Sequence, residues 1–180
     1  MKGFCVGMIA ILLGSAYAAA RGTTGGGRVH LETSFDVLVH APVGDATKLF
    51  TPEGERAWAG ERWNPQYVYP AGATRDAVGA VFTIQHGPLR AVWTVMRRDD
   101  VARKYDYAYF LPDLMVTSIR VSFEPVNPDT TNVHVSFERT ALSPAGEAQV
   151  VAMTERDKRA GAEWQSAIDK YLAAKTTLAR

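Results

Sequence analysis

Aromatic side chains are concentrated in one segment, residues 51–70, which we call the aromatic segment. It contains Trp58, Trp63, Tyr67 and Tyr69 together with three prolines. Each proline removes a backbone donor and fixes φ, so we predict a short helix and an ordered loop here, not a regular strand. Leaving this surface in water costs about 25 cal/mol per Å² of apolar area. The segment is therefore expected to cover the mouth of a hydrophobic sheet, with Trp58, Trp63 and Tyr67 contacting a ligand; structural plugging is the alternative.

A second group of candidate ligand-binding residues lies in the sequence from Lys104 to Tyr109. Strict alternation places Tyr105, Tyr107 and Tyr109 on one face of a strand. If that face points inward, it offers flat apolar walls carrying hydroxyl groups, which suit a ring-shaped or lipid-like ligand. The alternatives are ordinary core tyrosines with satisfied hydroxyls, or an exposed patch on the convex face.

One charged residue falls on an inward strand face. Arg139 continues the inward phase that includes Phe137, and a buried arginine needs either a carboxylate partner or an anionic ligand. It is a candidate for orienting a ligand carboxylate or polarising a carbonyl. The favoured interpretation is a salt bridge to Asp157 or Glu163 on the C-terminal helix.

The remaining polar residues indicate no metal, cofactor or nucleophile site. The four histidines share no metal-ligand spacing, and His134 is expected to be exposed. Ser143 lacks a Gly-x-Ser-x-Gly context and is predicted to cap a helix. Five charged residues of the aromatic segment are interpreted as solvated loop charges: Glu53, Glu55, Arg56, Glu61 and Arg62. For Glu55, capping of a helical turn is the alternative.

The N-terminus is typical of an export signal. Residues 1–20 combine Lys2, an apolar run and the small residues Ala16-Tyr17-Ala18. Cleavage is expected after Ala18 or Ala20, and an uncleaved anchor is the alternative. Removing Lys2 leaves 19 basic and 19 acidic side chains, which does not suggest a nucleic-acid binder. No later apolar run predicts a membrane span.

The rest of the chain predicts one domain over residues 29–178, after a flexible glycine-rich leader at 21–28. A strand at 31–39 precedes a helix that starts at Pro42 and a short helical turn at 53–58. One long helix is expected after Pro144, with Asp157 and Trp164 on its mostly apolar face. Further antiparallel strands are predicted at 81–86, 90–97, 103–111, 115–125 and 132–140. The fold class is therefore α+β, a curved antiparallel sheet around a long C-terminal helix.

At this level the chain resembles the START-like superfamily, also called SRPBCC or polyketide cyclase/dehydrase and lipid-transport. The resemblance lies in the element order and in short motifs: Phe50-Thr-Pro-Glu-Gly-Glu55, Trp63-Asn-Pro65, Gly79-Ala-Val-Phe82, Trp93, and Phe137 to Ser143. It implies a helix-grip fold with a hydrophobic pocket between sheet and helix, and it transfers no catalytic residue.

We therefore expect an exported protein that binds a small hydrophobic or aromatic molecule. A cyclase/dehydrase-type enzyme that uses the same pocket, with Arg139 and a tyrosine as its polar groups, is the first alternative. A protein-interaction module is the second. The ligand's identity and the oligomeric state are not encoded in any motif. Beside the residues above, the expected pocket includes Phe82, Trp93, Phe123, Phe137 and Trp164.

Overall fold

The computed structural model describes residues 21–22, 27–72 and 75–178. The predicted signal peptide at 1–20 and part of the predicted leader lie outside these residues, so both remain predictions. Alternating apolar and polar residues form most of the strands. The strands are β1 (Arg21–Gly22), β2 (His30–Val39), β3 (Gln66–Tyr69), β4 (Val81–His86), β5 (Leu89–Asp99), β6 (Lys104–Leu111), β7 (Met115–Asn127) and β8 (Thr130–Ala141).

All these strands belong to one antiparallel sheet. Their order is β1-β2-β8-β7-β6-β5-β4-β3. From β4 to β8, each strand is joined by a short turn to the strand beside it, which agrees with the consecutive antiparallel strands predicted from the sequence. β8 crosses back to pair with β2 over its whole length, with Phe35 opposite Val135 and Thr33 opposite Phe137. The sheet therefore presents one continuous apolar inner face.

Three helices and one 3-10 turn cover this inner face. They are α1 (Val43–Leu49), the 3-10 turn Gly54–Ala57, α2 (Pro144–Asp157) and α3 (Ala160–Leu178). Ser143 caps α2 as predicted, since its Oγ accepts a hydrogen bond from the Gly146 amide at 3.1 Å. Gly161 allows α3 to approach the sheet closely: a Cβ there would lie 2.9 Å from the Asp36 carbonyl oxygen.

Three local predictions differ from the structure. The single C-terminal helix is two helices, because Arg159 donates its amide to the Arg156 carbonyl at 3.1 Å, a tighter i−3 bond. The aromatic segment includes a regular strand, since Gln66 to Tyr69 lie between its prolines and pair with β4. Within the predicted leader, Arg21–Gly22 pair with β2.

The core follows the predicted strand faces. The inner faces of β6, β7 and β8 are buried, and the apolar face of the C-terminal helices is also largely buried, with Val150 and Ile168 inaccessible to solvent. His134 is exposed, as predicted. These elements together enclose the space described next.

Candidate functional site

A cavity of about 450 Å³ lies between the aromatic segment, the inner face of the sheet and α3. Most of its wall is apolar, which suits a small organic ligand. Its aromatic lining residues come from the segment after α1, from α3 and from four strands: Phe50, Trp58, Trp63, Phe82, Trp93, Tyr107, Phe137 and Trp164.

The aromatic segment holds its two tryptophans in place through their ring N–H groups. Trp58 Nε1 donates to the Leu49 carbonyl oxygen at 2.7 Å, and Trp63 Nε1 donates to the Pro52 carbonyl oxygen at 2.8 Å. Both indoles satisfy their polar atom against the backbone, so their ring surfaces remain available as cavity wall.

Arg56 fixes the loop that follows the 3-10 turn. Its Nε donates to Glu53 at 3.2 Å, one Nη donates to Asn64 Oδ1 at 3.0 Å, and the other donates to the Pro65 carbonyl oxygen. The guanidinium thus joins both ends of the loop and keeps the aromatic segment closed over the sheet.

Stacked rings form the wall on the sheet side. The Trp93 ring is nearly parallel to Phe82, with centroids 5.8 Å apart, and to Tyr109, with centroids 4.4 Å apart. Trp93 therefore points inward. On the helix side, Trp164 packs 5.4 Å from Trp58.

Seven of the twelve predicted pocket residues line this cavity: Trp58, Trp63, Phe82, Trp93, Tyr107, Phe137 and Trp164. The other five pack around it without lining it. Tyr67 lies against Phe82 on the edge strand, and Phe123 lies under Phe50 and Tyr105.

The three tyrosines of β6 all point inward, but only Tyr107 reaches the cavity. The hydroxyl of Tyr105 donates to Asp100, and that of Tyr109 points towards the Met153 sulfur at 3.6 Å. Tyr107 donates to the Phe50 carbonyl oxygen at 2.8 Å, and burial raises its pKa well above the ordinary value. The Tyr107 hydroxyl is therefore a neutral donor that is already in use.

Arg139 binds a carboxylate of the protein and does not line the cavity. It is 1% exposed and forms two hydrogen bonds with Asp157, one of them from Nη2 to Oδ1 at 3.3 Å. Its guanidinium also lies 4.4 Å from the Phe137 ring centroid. The predicted salt bridge to Asp157 is present, and Arg139 is not among the residues that line the cavity.

The sequence interpretation missed the charged residues of the cavity. Glu55 and Arg62, predicted as solvated loop charges, line it together with His86, Arg156 and Glu163. Burial, with a smaller contribution from the negative charge of Asp76, raises the pKa of the Glu55 carboxyl to about 8. Burial also lowers the pKa of His86, as does the nearby Arg156. The only sequence signal for Glu55 was its three-residue spacing from Trp58, which places both on one face of a 3-10 turn.

The outer face of the sheet brings together one cluster of metal-type ligands, from His30, Glu32 and Glu138, with ligand atoms within 4.8 Å of one another. Strand pairing, not sequence spacing, makes this cluster. Glu138 is ion-paired with Arg120 at 2.7 Å, and His30 Nδ1 lies 2.9 Å from Thr140 Oγ1. The cluster is a cross-strand polar network.

No helix in the described part of the chain combines the length and the apolar character needed to span a bilayer.

Comparison with known proteins gives structural matches only. No protein-family model and no curated protein sequence matches the chain. Norcoclaurine synthase from Thalictrum flavum matches 96% of this chain and 98% of its own, with a TM-score of 0.58 and 13% identity. CalU16 from Micromonospora echinospora matches 87% of this chain and 83% of its own, with a TM-score of 0.52 and 15% identity. The di-domain ARO/CYC protein BexL matches 77% of this chain and 46% of its own, with a TM-score of 0.57 and 17% identity.

These solved structures share the curved antiparallel sheet, the covering helices and the C-terminal helix described above. At these identities the match concerns the fold. The chain has the helix-grip fold that these structures share, which is the fold implied by its resemblance to the START-like superfamily.

Proposed function

We propose that this chain is an exported START-like protein that binds a small hydrophobic or aromatic molecule in the cavity between sheet, aromatic segment and α3. The observation that carries the proposal is the cavity itself, about 450 Å³ with eight aromatic residues in its wall. A domain that used these rings only as core would close such a space, because protein interiors pack densely.

Similar structures support an aromatic ligand. One Thalictrum flavum norcoclaurine synthase structure holds dopamine and hydroxybenzaldehyde, and it matches 97% of this chain with a TM-score of 0.58. For the present chain, the ring-lined walls favour a flat apolar body, which gains both area burial and ring stacking.

The test is native mass spectrometry of the protein purified from its own compartment, with denaturing identification of any released molecule. A matched pair of variants makes the result specific. Ala167 lines the cavity, so Ala167→Trp fills it, whereas Ala174→Trp adds the same side chain at an exposed position of α3. We expect the bound species to be lost in Ala167→Trp and retained in Ala174→Trp, with both variants folded by circular dichroism.

If the wild-type protein is empty and binds no aromatic probe, the binding proposal fails. Partner binding through exposed apolar residues then becomes the better hypothesis. It predicts co-purification of the same protein in repeated isolations.

A cyclase/dehydrase-type enzyme is the second candidate. The observation in its favour is that Glu55, whose pKa is near 8, lines the cavity together with His86, and general acid–base groups work best with a pKa near the operating pH. It differs from the predicted version, since Arg139 and Tyr107 are already hydrogen-bonded. Incubation of the protein with its released ligand distinguishes the two, because a binder returns it unchanged.

Export is a separate part of the proposal, supported by the pattern of residues 1–20. Intact-mass analysis after expression in a Gram-negative host tests it. A periplasmic product that begins after Ala18 or Ala20 supports cleavage. A full-length product in the membrane fraction supports the anchor instead.

A further inference from the structure

Among the acidic side chains of the described residues, Glu55 combines a position in the cavity wall with a carboxyl that has no partner. It lies in the wall of a cavity whose other residues are mostly apolar or aromatic, and its carboxyl forms no ion pair or hydrogen bond with any described residue. Nearby Glu53, by contrast, is paired with Arg56. A carboxyl in such surroundings keeps its hydrogen-bonding capacity for whatever enters the cavity.

The backbone directs Glu55 into the cavity. Gly54 packs so tightly against α1 that a Cβ would lie 1.8 Å from the Lys48 carbonyl oxygen, and its amide donates to Thr51 Oγ1 at 3.0 Å. The Glu55 amide donates to the Thr51 carbonyl oxygen at 2.9 Å. These contacts fix the start of the 3-10 turn, so that Glu55 and Trp58, three residues apart, face the same side.

Three other hydrogen-bond donors of the aromatic wall are already used, whereas the buried Trp93 Nε1 on the sheet side has no hydrogen-bond partner among the described residues. Trp58 and Trp63 donate to backbone carbonyls, and so does Tyr107. Glu55 and Arg62 are therefore the two polar side chains of the aromatic segment that line the cavity without a hydrogen-bond partner among the described residues.

We propose that Glu55 is a polar recognition group of the cavity, a carboxylic acid that donates a hydrogen bond to a carbonyl oxygen of an aromatic ligand. This inference rests on the proposed binding function and names the ligand's chemistry. The raised pKa of Glu55 keeps the carboxyl protonated at neutral pH. Arg62 and Arg156, which line the same cavity and form no ion pair with a described residue, disfavour a cationic amine as the alternative ligand.

Two probes of the same shape test this assignment. They are 2-acetylnaphthalene and 2-isopropenylnaphthalene, in which a methylene group replaces the carbonyl oxygen. Isothermal titration calorimetry at pH 7 is expected to show a preference of about fivefold for the ketone, the usual size of one net hydrogen bond. Glu55→Leu should bind both probes equally, with its affinity for the alkene within about twofold of wild type.

The variant Glu55→Gln and a pH series distinguish hydrogen-bond donation by Glu55 from simple packing of its side chain against the ligand. In Glu55→Gln the amide N–H still donates, so the ketone preference should persist and stay constant between pH 7 and pH 9.5. In the wild type the preference should disappear over this range, with a midpoint near the Glu55 pKa of about 8. Glu61→Leu changes an exposed carboxyl of the same segment that does not line this cavity, and it should behave as wild type.

The other ionisable groups near Glu55 do not produce this profile. His86 has a lowered pKa and stays neutral above pH 7, and the pKa of Tyr107 lies well above 10. The other charged groups near Glu55 are Arg62, Arg156 and Glu163 in the cavity wall, and Asp76.

The outcomes distinguish the two levels of the proposal. If wild type binds both probes equally, or if Glu55→Leu keeps the ketone preference, the assignment of Glu55 is overturned and the binding function stands. If wild type binds neither probe and also purifies empty, the binding function and the Glu55 assignment fall together.

Discussion

The buried ion pair between Arg139 and Asp157 allows a quantitative test of how this fold is held together. The two side chains are 2% and 11% exposed, and they join β8 to the last turn of α2. Replacing Asp157 with Asn keeps the shape and removes the negative charge. The guanidinium then stays buried without a counterion, and breaking such a pair typically costs 3–5 kcal/mol.

We expect Asp157→Asn to lower the free energy of unfolding by about 3 kcal/mol, at the low end because the amide oxygen still accepts one hydrogen bond. Domains of this kind are stable by only about 5–15 kcal/mol, so the loss is easily measured. With a urea m value of about 2 kcal/mol/M, the unfolding midpoint falls by about 1.5 M.

Two further variants make the measurement decisive. Arg139→Met combined with Asp157→Leu removes both charges and should recover most of the lost stability, because an apolar pair of similar volume needs no counterion. Glu163→Gln changes the other carboxylate considered for Arg139, an exposed one, and should leave the midpoint nearly unchanged. A shift below about 0.3 M for Asp157→Asn, or a loss of ligand affinity without loss of stability, would refute the structural role of the pair.

Three other expected outcomes use the same urea assay. Because the pKa of Glu55 rises on folding from 4.5 to about 8, the folded state binds its proton more tightly, and wild-type stability should fall by about 1 kcal/mol between pH 7 and pH 8.5, a loss that Glu55→Gln removes. Gly146→Ala places a Cβ 1.8 Å from the Leu114 carbonyl oxygen and should cost about 2 kcal/mol, whereas Gly44→Ala meets nothing within 4 Å and should gain about 0.5 kcal/mol. Trp164→Ala removes a ring that contacts Phe35, Phe50, Trp58 and Phe137 and should cost about 3–5 kcal/mol.

The strands and their faces could be predicted because one physical signal repeats along them. Alternation placed Tyr105, Tyr107 and Tyr109 inward, and all three are at most 8% exposed. The same phase placed Arg139 inside, and the cost of an unpaired buried charge then called for a carboxylate partner or an anionic ligand; the partner is Asp157.

The extent of the cavity could not be predicted from the same signal. Alternation gives a side chain's face but not what lies above it, and that depends on where the covering elements end. Phe123 packs against Tyr105, and Met153 of α2 covers Tyr109. Tyr107, which lies between these two tyrosines on β6, is the one that lines the cavity.

Glu55 was predicted to be solvated because charged side chains in loops are usually exposed to solvent. A 3-10 turn has a period of three that the composition of a short segment does not reveal. The sequence also carries no signal for the division of the C-terminal helix after Asp157, since neither Lys158 nor Arg159 is a residue type that usually ends a helix.

The two border strands of the sheet have a consequence for how this chain behaves among other chains. β1 has two residues and β3 has four, and Pro65 and Pro70 stand immediately on either side of β3. These edge strands present few consecutive free amide and carbonyl groups to which a second molecule could add a strand, and proline has no N–H to continue the hydrogen-bond ladder. Edge-to-edge pairing with a second molecule is therefore disfavoured at these two strands.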